Sequence, residues 1–431
     1  MASLTSVRPN PFRHVLPVVL LLGALPATGP ASAGVLAGSC RVANQPAATL
    51  LVPYFEVNLN DPDGATTLIS VNNASAKPAL ARMVLWTDWG VPTLAFDIYL
   101  TGYDVQTLNL RDLFTGTLPT TGPAISNTGA LSLSSTDFPG CGSNSSQAAT
   151  EQGIPILPAA AREALNASHT GKPVHAAGTS GMFGPATPRC LGSTRQGSPL
   201  AVGYITIDVV NRCSPVSVGT TANTPADPHY FAEGGTGLAS DNNVLWGDVI
   251  FLDRKTMKAD SETVVHVLAD ADAFGPGDYT FYGRYVDFDA RDNRAPLSSL
   301  YYTRYLTGGN LFGDTELVVW RDNRTKDTTG GECGRGPSWA PLGEYQLVAF
   351  DEQENPSELP NSNAFPVATQ KVKLGGGPVP LSNPFGWLML DLWHRDGAHA
   401  QGWVGVRMSS QGRYSIGHEA LRADDLCNFG L

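Results

Sequence analysis

An all-β fold of two antiparallel β-sandwich domains with at most one or two short helices is what three features of this sequence predict. Short windows alternate apolar and polar residues with period two, which places every second side chain on one face of a strand. Turn chemistry separates those windows, with 46 Gly and 32 Pro distributed along the chain. Helical periodicity is nearly absent, which argues for sandwiches over an α/β fold.

The strand windows run in order through "TTLISVNN" (66), "ARMVLWTDW" (81), "LAFDIYLT" (94), "YITIDVVN" (204), "VLWGDVIFLD" (244), "ETVVHVLA" (262), "TELVVWRD" (315), "YQLVAF" (345) and "GWLMLDLWH" (386). In "LAFDIYLT", Leu94, Phe96, Ile98 and Leu100 share one face. "DPDG" at 61–64 is a turn, because Pro62 presets its backbone angle and Gly64 accepts positive φ. "PAAAREALNA" (158–167) is the one helix candidate, with Pro158 suited to a first turn.

The first 33 residues read as a secretory signal: Arg8 and Arg13 precede the apolar run "VLPVVLLLGALPA", and "ASA" closes it with small residues. Later segments lack the ~20 apolar residues of a spanning helix. The mature chain, about 398 residues, is long enough for two domains. They are expected at 34–215 and 243–431, with a linker-like stretch at 216–242 and a long Ser/Thr/Gly-rich loop at 115–153 in the first. Losing the signal removes two arginines and no acid, so the formal charge moves from −11 to −13. Nucleic acid is thereby disfavoured as a partner, since phosphate binding wants clustered Lys and Arg.

Six cysteines (Cys40, Cys141, Cys190, Cys213, Cys333 and Cys427) suggest three disulfides in an exported protein, and none forms CxxC. The expected domain division leaves Cys333 and Cys427 alone in the second half, which favours that pairing. The halves also share motifs in order: "TTLISVNN", "MVLWTD" and "AVGYITID" against "TELVVWRD", "QLVAFDE" and "AQGWVGVR", the mark of a duplicated sandwich.

The succession "TTLISVNNAS", "RMVLWTDWGV", "FDIYLTGYDVQTLNL" resembles the immunoglobulin-like modules of uncharacterised exported bacterial proteins. The resemblance implies a sandwich fold and a place at the envelope or outside the cell. It carries no catalytic residue.

Chemistry-bearing clusters are sparse. "DFDARDN" puts Asp287, Asp289 and Asp292 within six residues, hard oxygen ligands that suit calcium, although an EF-hand's Gly and terminal Glu are missing. In "LWHRDGAHAQGW", a two-residue Asp396-Gly397 turn sets His394 opposite His399, close enough to share a metal. His418, the nearest third ligand, falls opposite Trp403 or Gly405, too far along the strand. "GTSGM" (178–182) lacks the last glycine of a nucleophile elbow and reads as a loop. Asp351, Glu352 and Glu354 read as surface charge after a strand. Trp86, Trp89, Trp320, Trp387, Trp393 and Trp403 lie in or beside strands, where burial is their common fate and sugar stacking the rarer one. The expected function is an exported, non-catalytic structural or binding protein with a protein or glycan ligand. The alternatives are a secreted glycan-active hydrolase and a carbohydrate-binding module without catalysis. Calcium is the one cofactor considered.

Overall fold

Alternation becomes strand along most of the chain that the computed structural model describes, namely residues 45–119, 138–139, 156–174, 189–192, 197–231, 237–270, 272–287, 289, 291–309, 313–322, 330–333, 346–359, 365–376, 379–392, 401–410 and 414–422. The first strands are β1 (Thr49–Asn58), β2 (Thr66–Asn73), β3 (Ala79–Thr87), β4 (Pro92–Leu100) and β5 (Val105–Asn109). Two short helices follow, α1 (Leu110–Thr115) and α2 (Ala159–His169), then β6 (Leu200–Val209), β7 (Ser217–Val218), β8 (Leu245–Asp253), β9 (Lys258–Thr263) and β10 (Val265–Val267). These strands form two antiparallel sheets, β10-β1-β6-β3-β4-β7 and β5-β2-β8-β9. Between the sheets lies a core that includes Val52, Phe55, Ile69, Val71, Met83, Phe96, Ile207 and Val249.

β1 escaped the strand windows because Pro53 stands inside it. A proline donates nothing to a ladder, so it survives where the ladder is already interrupted. The β1–β6 register shifts between Val52 and Phe55, and Pro53 sits in that bulge. Helix α1 is held by its ends: the Asn109 side chain accepts from Arg111 N, and Gly116 closes it at φ 98°. The Arg111 guanidinium then donates to the carbonyls of Asn58, Asp61, Gly64 and Ala65, fixing the "DPDG" turn.

A connecting segment, 268–299, leads to β11 (Leu300–Leu306), β12 (Asp314–Arg321), β13 (Leu347–Phe350), β14 (Pro356–Glu358), β15 (Thr369–Lys373), β16 (Phe385–Asp391), β17 (Gly402–Ser410), β18 (Tyr414–Glu419) and β19 (Leu421–Arg422). They build a second sandwich from sheets β14-β13-β16-β11-β19 and β15-β12-β17-β18. Its core includes Tyr301, Leu317, Val319, Leu388, Leu390, Val404 and Val406. The expected boundary at 216–242 is therefore corrected: β8, β9 and β10 return to the first sandwich, and the division falls in 268–299. Both sandwiches belong to one compact unit, Leu36–Leu431.

The two sandwiches have one topology. Replacing β1–β6, β8, β9 and β10 by β11–β19 in order converts the first pair of sheets into the second, strand for strand, with β7 as the only addition. Side chains confirm the alignment. Thr67 Oγ bonds both the N–H and the carbonyl of Glu56, and Thr315 Oγ bonds both the N–H and the carbonyl of Leu306. Gly203 lies opposite Phe55, and Gly386 opposite Tyr305. A Cβ on Gly203 would stand 2.1 Å from the Trp86 carbonyl oxygen, and one on Gly386 would stand 2.0 Å from that of Phe350. "GYITID" thus matches "GWLMLD", so the sequence partner of β6 is β16 and not the "AQGWVGVR" strand β17.

The expected hairpin through Asp396-Gly397 is also corrected. β16 pairs with β11 and β13, whereas β17 pairs with β12 and β18, so the two strands lie in opposite sheets. Leu388 and Leu390 meet Val404 and Val406 across the core. His394 and His399 lie outside the described residues. His418 stands opposite Val406, because three residues separate β17 from β18 where two were expected.

Candidate functional site: the seam between the sandwiches

The outer face of the β15-β12-β17-β18 sheet rests against the first sandwich, and its side chains dictate the chemistry there. Strand alternation puts Glu316, Val318 and Trp320 of β12 on that face, with Trp403, Gly405 and Arg407 of β17 and Thr369, Lys371 and Lys373 of β15 beside them. Val318 enters the first sandwich's core. Trp320 and Trp403 join a second apolar cluster with Trp86, Tyr204 and Phe281, in which Phe281 and Trp320 stack at 5.4 Å.

Around this apolar centre the seam is charged. Lys371 Nζ sits 2.6 and 2.7 Å from the Glu56 carboxylate oxygens, and the Tyr54 hydroxyl donates to the same carboxylate at 3.0 Å. Burial, and then the neighbouring Glu56, push the Tyr54 hydroxyl well above its usual range, so it stays a donor. The Thr369 hydroxyl donates to the Pro53 carbonyl that the bulge presents. On the other flank the Arg407 guanidinium lies 3.6 Å over the Phe251 ring, with Glu262 beside it at 3.9 Å. Burial raises the Glu262 carboxyl to about 6, against the opposing pull of Arg407.

The connecting segment stitches both sandwiches from above. Thr49 Oγ donates to Asp208 and accepts from Arg294 Nε, so one hydroxyl relays between a buried carboxylate and a buried guanidinium. Tyr230 and Tyr282 donate to the same carboxylate. Farther along, Arg284 pairs with Asp322 at 2.8 Å just beyond β12, and Gln401 reaches the Phe281 carbonyl and the Leu297 N–H. Burial raises the carboxyls of Asp208 and Asp322, which makes their partners indispensable.

A cleft of ≈ 210 Å³ opens in the seam, lined by Tyr54, Glu56, Asp88, Glu316, Lys371 and Lys373 among others. Sequence reading did not foresee it, since its carboxylates come from β1, from Asp88 just after β3 and from β12, with Glu56 and Glu316 more than 250 residues apart.

The expected sites fall elsewhere. Asp287, Asp289 and Asp292 do not converge, which corrects the calcium reading. Asp292 turns inward, accepts the Tyr282 N–H at 2.6 Å and is raised to about 6 by burial. Asp289 pairs with Arg291 on the surface, and Asp287 occupies a left-handed turn at φ 55°. Among the described residues no three His, Cys, Asp or Glu side chains are placed to hold a metal ion. Cys190 pairs with Cys333, which corrects the expected Cys333–Cys427 bond, and Cys213 is also disulfide-bonded. Cys40, Cys141 and Cys427 lie outside the described residues, as do "GTSGM" and Trp393. Asp351 accepts from Gln353 and Asn355 in an exposed turn. Trp86, Trp89, Trp320 and Trp403 are buried, while Trp387 is half-buried under the Arg304 guanidinium at 4.8 Å.

One histidine gave no signal in the sequence. His169 is fully buried between Phe55 and Phe114, with Nε2 2.8 Å from Thr93 Oγ and Nδ1 2.8 Å from the Val202 carbonyl. Burial lowers it to about 4, so it is a neutral packing group.

Two sandwiches of one topology, fused through a charged seam, define the class of molecule. No family model matches the chain, and no curated protein or solved structure matches it. No helix among the described residues is long and apolar enough to cross a membrane.

Proposed function

We propose that this is an exported, non-catalytic structural or binding protein of the cell envelope or extracellular space, built as a rigid double immunoglobulin-like sandwich. One observation carries the reading. The seam, where a two-domain enzyme would open its substrate cleft, is occupied by the protein's own ion pairs. The cleft left there is ≈ 210 Å³ and bridged by Glu56–Lys371, below the roughly 300–1,000 Å³ of ordinary ligand sites. The signal-like N-terminus and the Cys190–Cys333 bond support export.

A glycan-active hydrolase is the second reading, favoured by Glu56 and Glu316 lining one cleft. A carbohydrate-binding module would want several coplanar exposed tryptophans, and Trp246 is the large exposed one among the described residues. Incubation with a panel of polysaccharides, read as release of reducing ends, separates these readings. The proposal expects no release. Turnover that Glu316→Gln or Glu56→Gln abolishes would overturn it.

A further inference from the structure

The shared topology shows what the first sandwich leaves uncovered. Aligned through Thr67 and Thr315, the seam-forming face of the β15-β12-β17-β18 sheet corresponds to the outer face of the β5-β2-β8-β9 sheet. Trp403 pairs across from Trp320, five residues after Thr315, and Trp246 pairs across from Asn72, five residues after Thr67. By the same count Thr369 corresponds to Val105, and Arg407 to Ile250. The seam members are buried, at 3% for Trp403 and 1% for Thr369, while Trp246 is 44% and Val105 57% exposed. Ile250 is exposed on the same face.

The surface that receives the seam has its counterpart too. On the first sandwich it is the edge formed by Phe251 of β8 and by Asp260 and Glu262 of β9. The alignment carries these to Met408 of β17 and to Ile416 and His418 of β18. Ile416 is 55% exposed, and Tyr414, on the same face of β18, is also exposed. Of the nine large apolar side chains exposed among the described residues, five (Val105, Trp246, Ile250, Tyr414 and Ile416) lie on these two surfaces, which marks them as an unfilled pair.

The exchange of residue types is complementary. The seam's polar pair Arg407–Glu262 maps to Ile250–His418, and Ser415–Asp260 maps to Ala259–Ile416. Lys371–Glu56 maps to Thr107–Leu306. Each of these three partnerships inside the molecule becomes an uncharged or apolar one between the two open surfaces, with both sides changing together.

We propose that the outer face of the β5-β2-β8-β9 sheet docks on the β17-β18 edge of a second copy of this chain, repeating the internal seam between molecules. The two surfaces differ, so the contact is heterologous and copies join head to tail. This rests on the structural reading of function and names the partner.

Sedimentation velocity of the exported full chain over a concentration series tests it, together with Trp246→Glu and Ile416→Glu, whose unfolding midpoints should match the parent because both positions are exposed. The parent should associate into a ladder of species, and each variant should weaken self-association by roughly thirtyfold or more. An equimolar mixture of the variants retains one intact copy of each surface and should stop at a one-to-one dimer. A parent that stays monomeric, a variant that associates as the parent does, or a mixture without the dimer would overturn head-to-tail docking. A monomeric parent without polysaccharide turnover would overturn only the docking, whereas turnover would overturn the reading on which it rests.

Discussion

In the first sandwich the outer face of the larger sheet is roofed, with Tyr204 stacked on Trp86 at 5.7 Å beneath the connecting segment. In the second, the equivalent Trp387 is half-buried and leans on Arg304. The smaller sheets reverse the relation: in the second sandwich that sheet's outer face is buried in the seam, and in the first its counterpart lies open. One topology therefore presents the same strand position as core in one copy and as surface in the other. Coverage, and not strand order, decides what a residue there contributes.

The largest expected effect is the contrast between Trp403 and Trp246. Trp403→Ala should destabilise the chain by about 3–5 kcal/mol through the cavity it leaves, and Trp246→Ala by less than about 1 kcal/mol, read by denaturant unfolding. Equal losses would erase the distinction between covered and open faces. Gly203→Ala and Gly386→Ala should come next. Each drives a Cβ into a backbone carbonyl of the adjacent strand, so each should cost about 1–3 kcal/mol, and a large inequality would break the equivalence of the two sites.

Glu262 supplies a pH-dependent term opposite in direction to that of its counterpart His418, whose imidazole burial holds below its usual range. Its carboxyl is raised from 4.5 to about 6, so the native state holds that proton more tightly than the unfolded chain. The resulting stability is present below about pH 4.5 and is lost as pH rises through about 6, a change of about 2 kcal/mol. Unfolding free energies of the parent and Glu262→Gln should accordingly converge on acidification from pH 7.5 to 5. A pH-independent difference would contradict the buried carboxyl. Smallest of all, Asp289→Asn should stay within about 0.5 kcal/mol, and millimolar calcium should leave the unfolding midpoint in place.

Period-two alternation made the strand positions legible, because β2, β4, β6, β8 and β12 each bury one face in a core. It could not assign strands to sheets. β16 and β17 are separated by a short connection, and neighbours of that kind usually pair. Here Leu392 N donates to the Ser299 carbonyl and Gly402 N to that of Ser298, so the chain crosses from one sheet to the other around that point. The Cys333–Cys427 expectation assumed that each disulfide stays within one domain, whereas Cys190–Cys333 links the two halves. Asp292 was grouped with its neighbours by spacing alone, and burial turned it inward. The seam was invisible for a related reason: Glu56 and Lys371 are 315 residues apart, and nothing local marks them as partners.

The central claim is that the seam fuses two sandwiches of one topology into a single folding unit. Differential scanning calorimetry of the parent and Trp403→Ala tests it most directly. The account predicts one transition in each, with calorimetric and van't Hoff enthalpies equal and the whole peak lowered in the variant. Two resolved transitions, with Trp403→Ala moving only one of them, would contradict it.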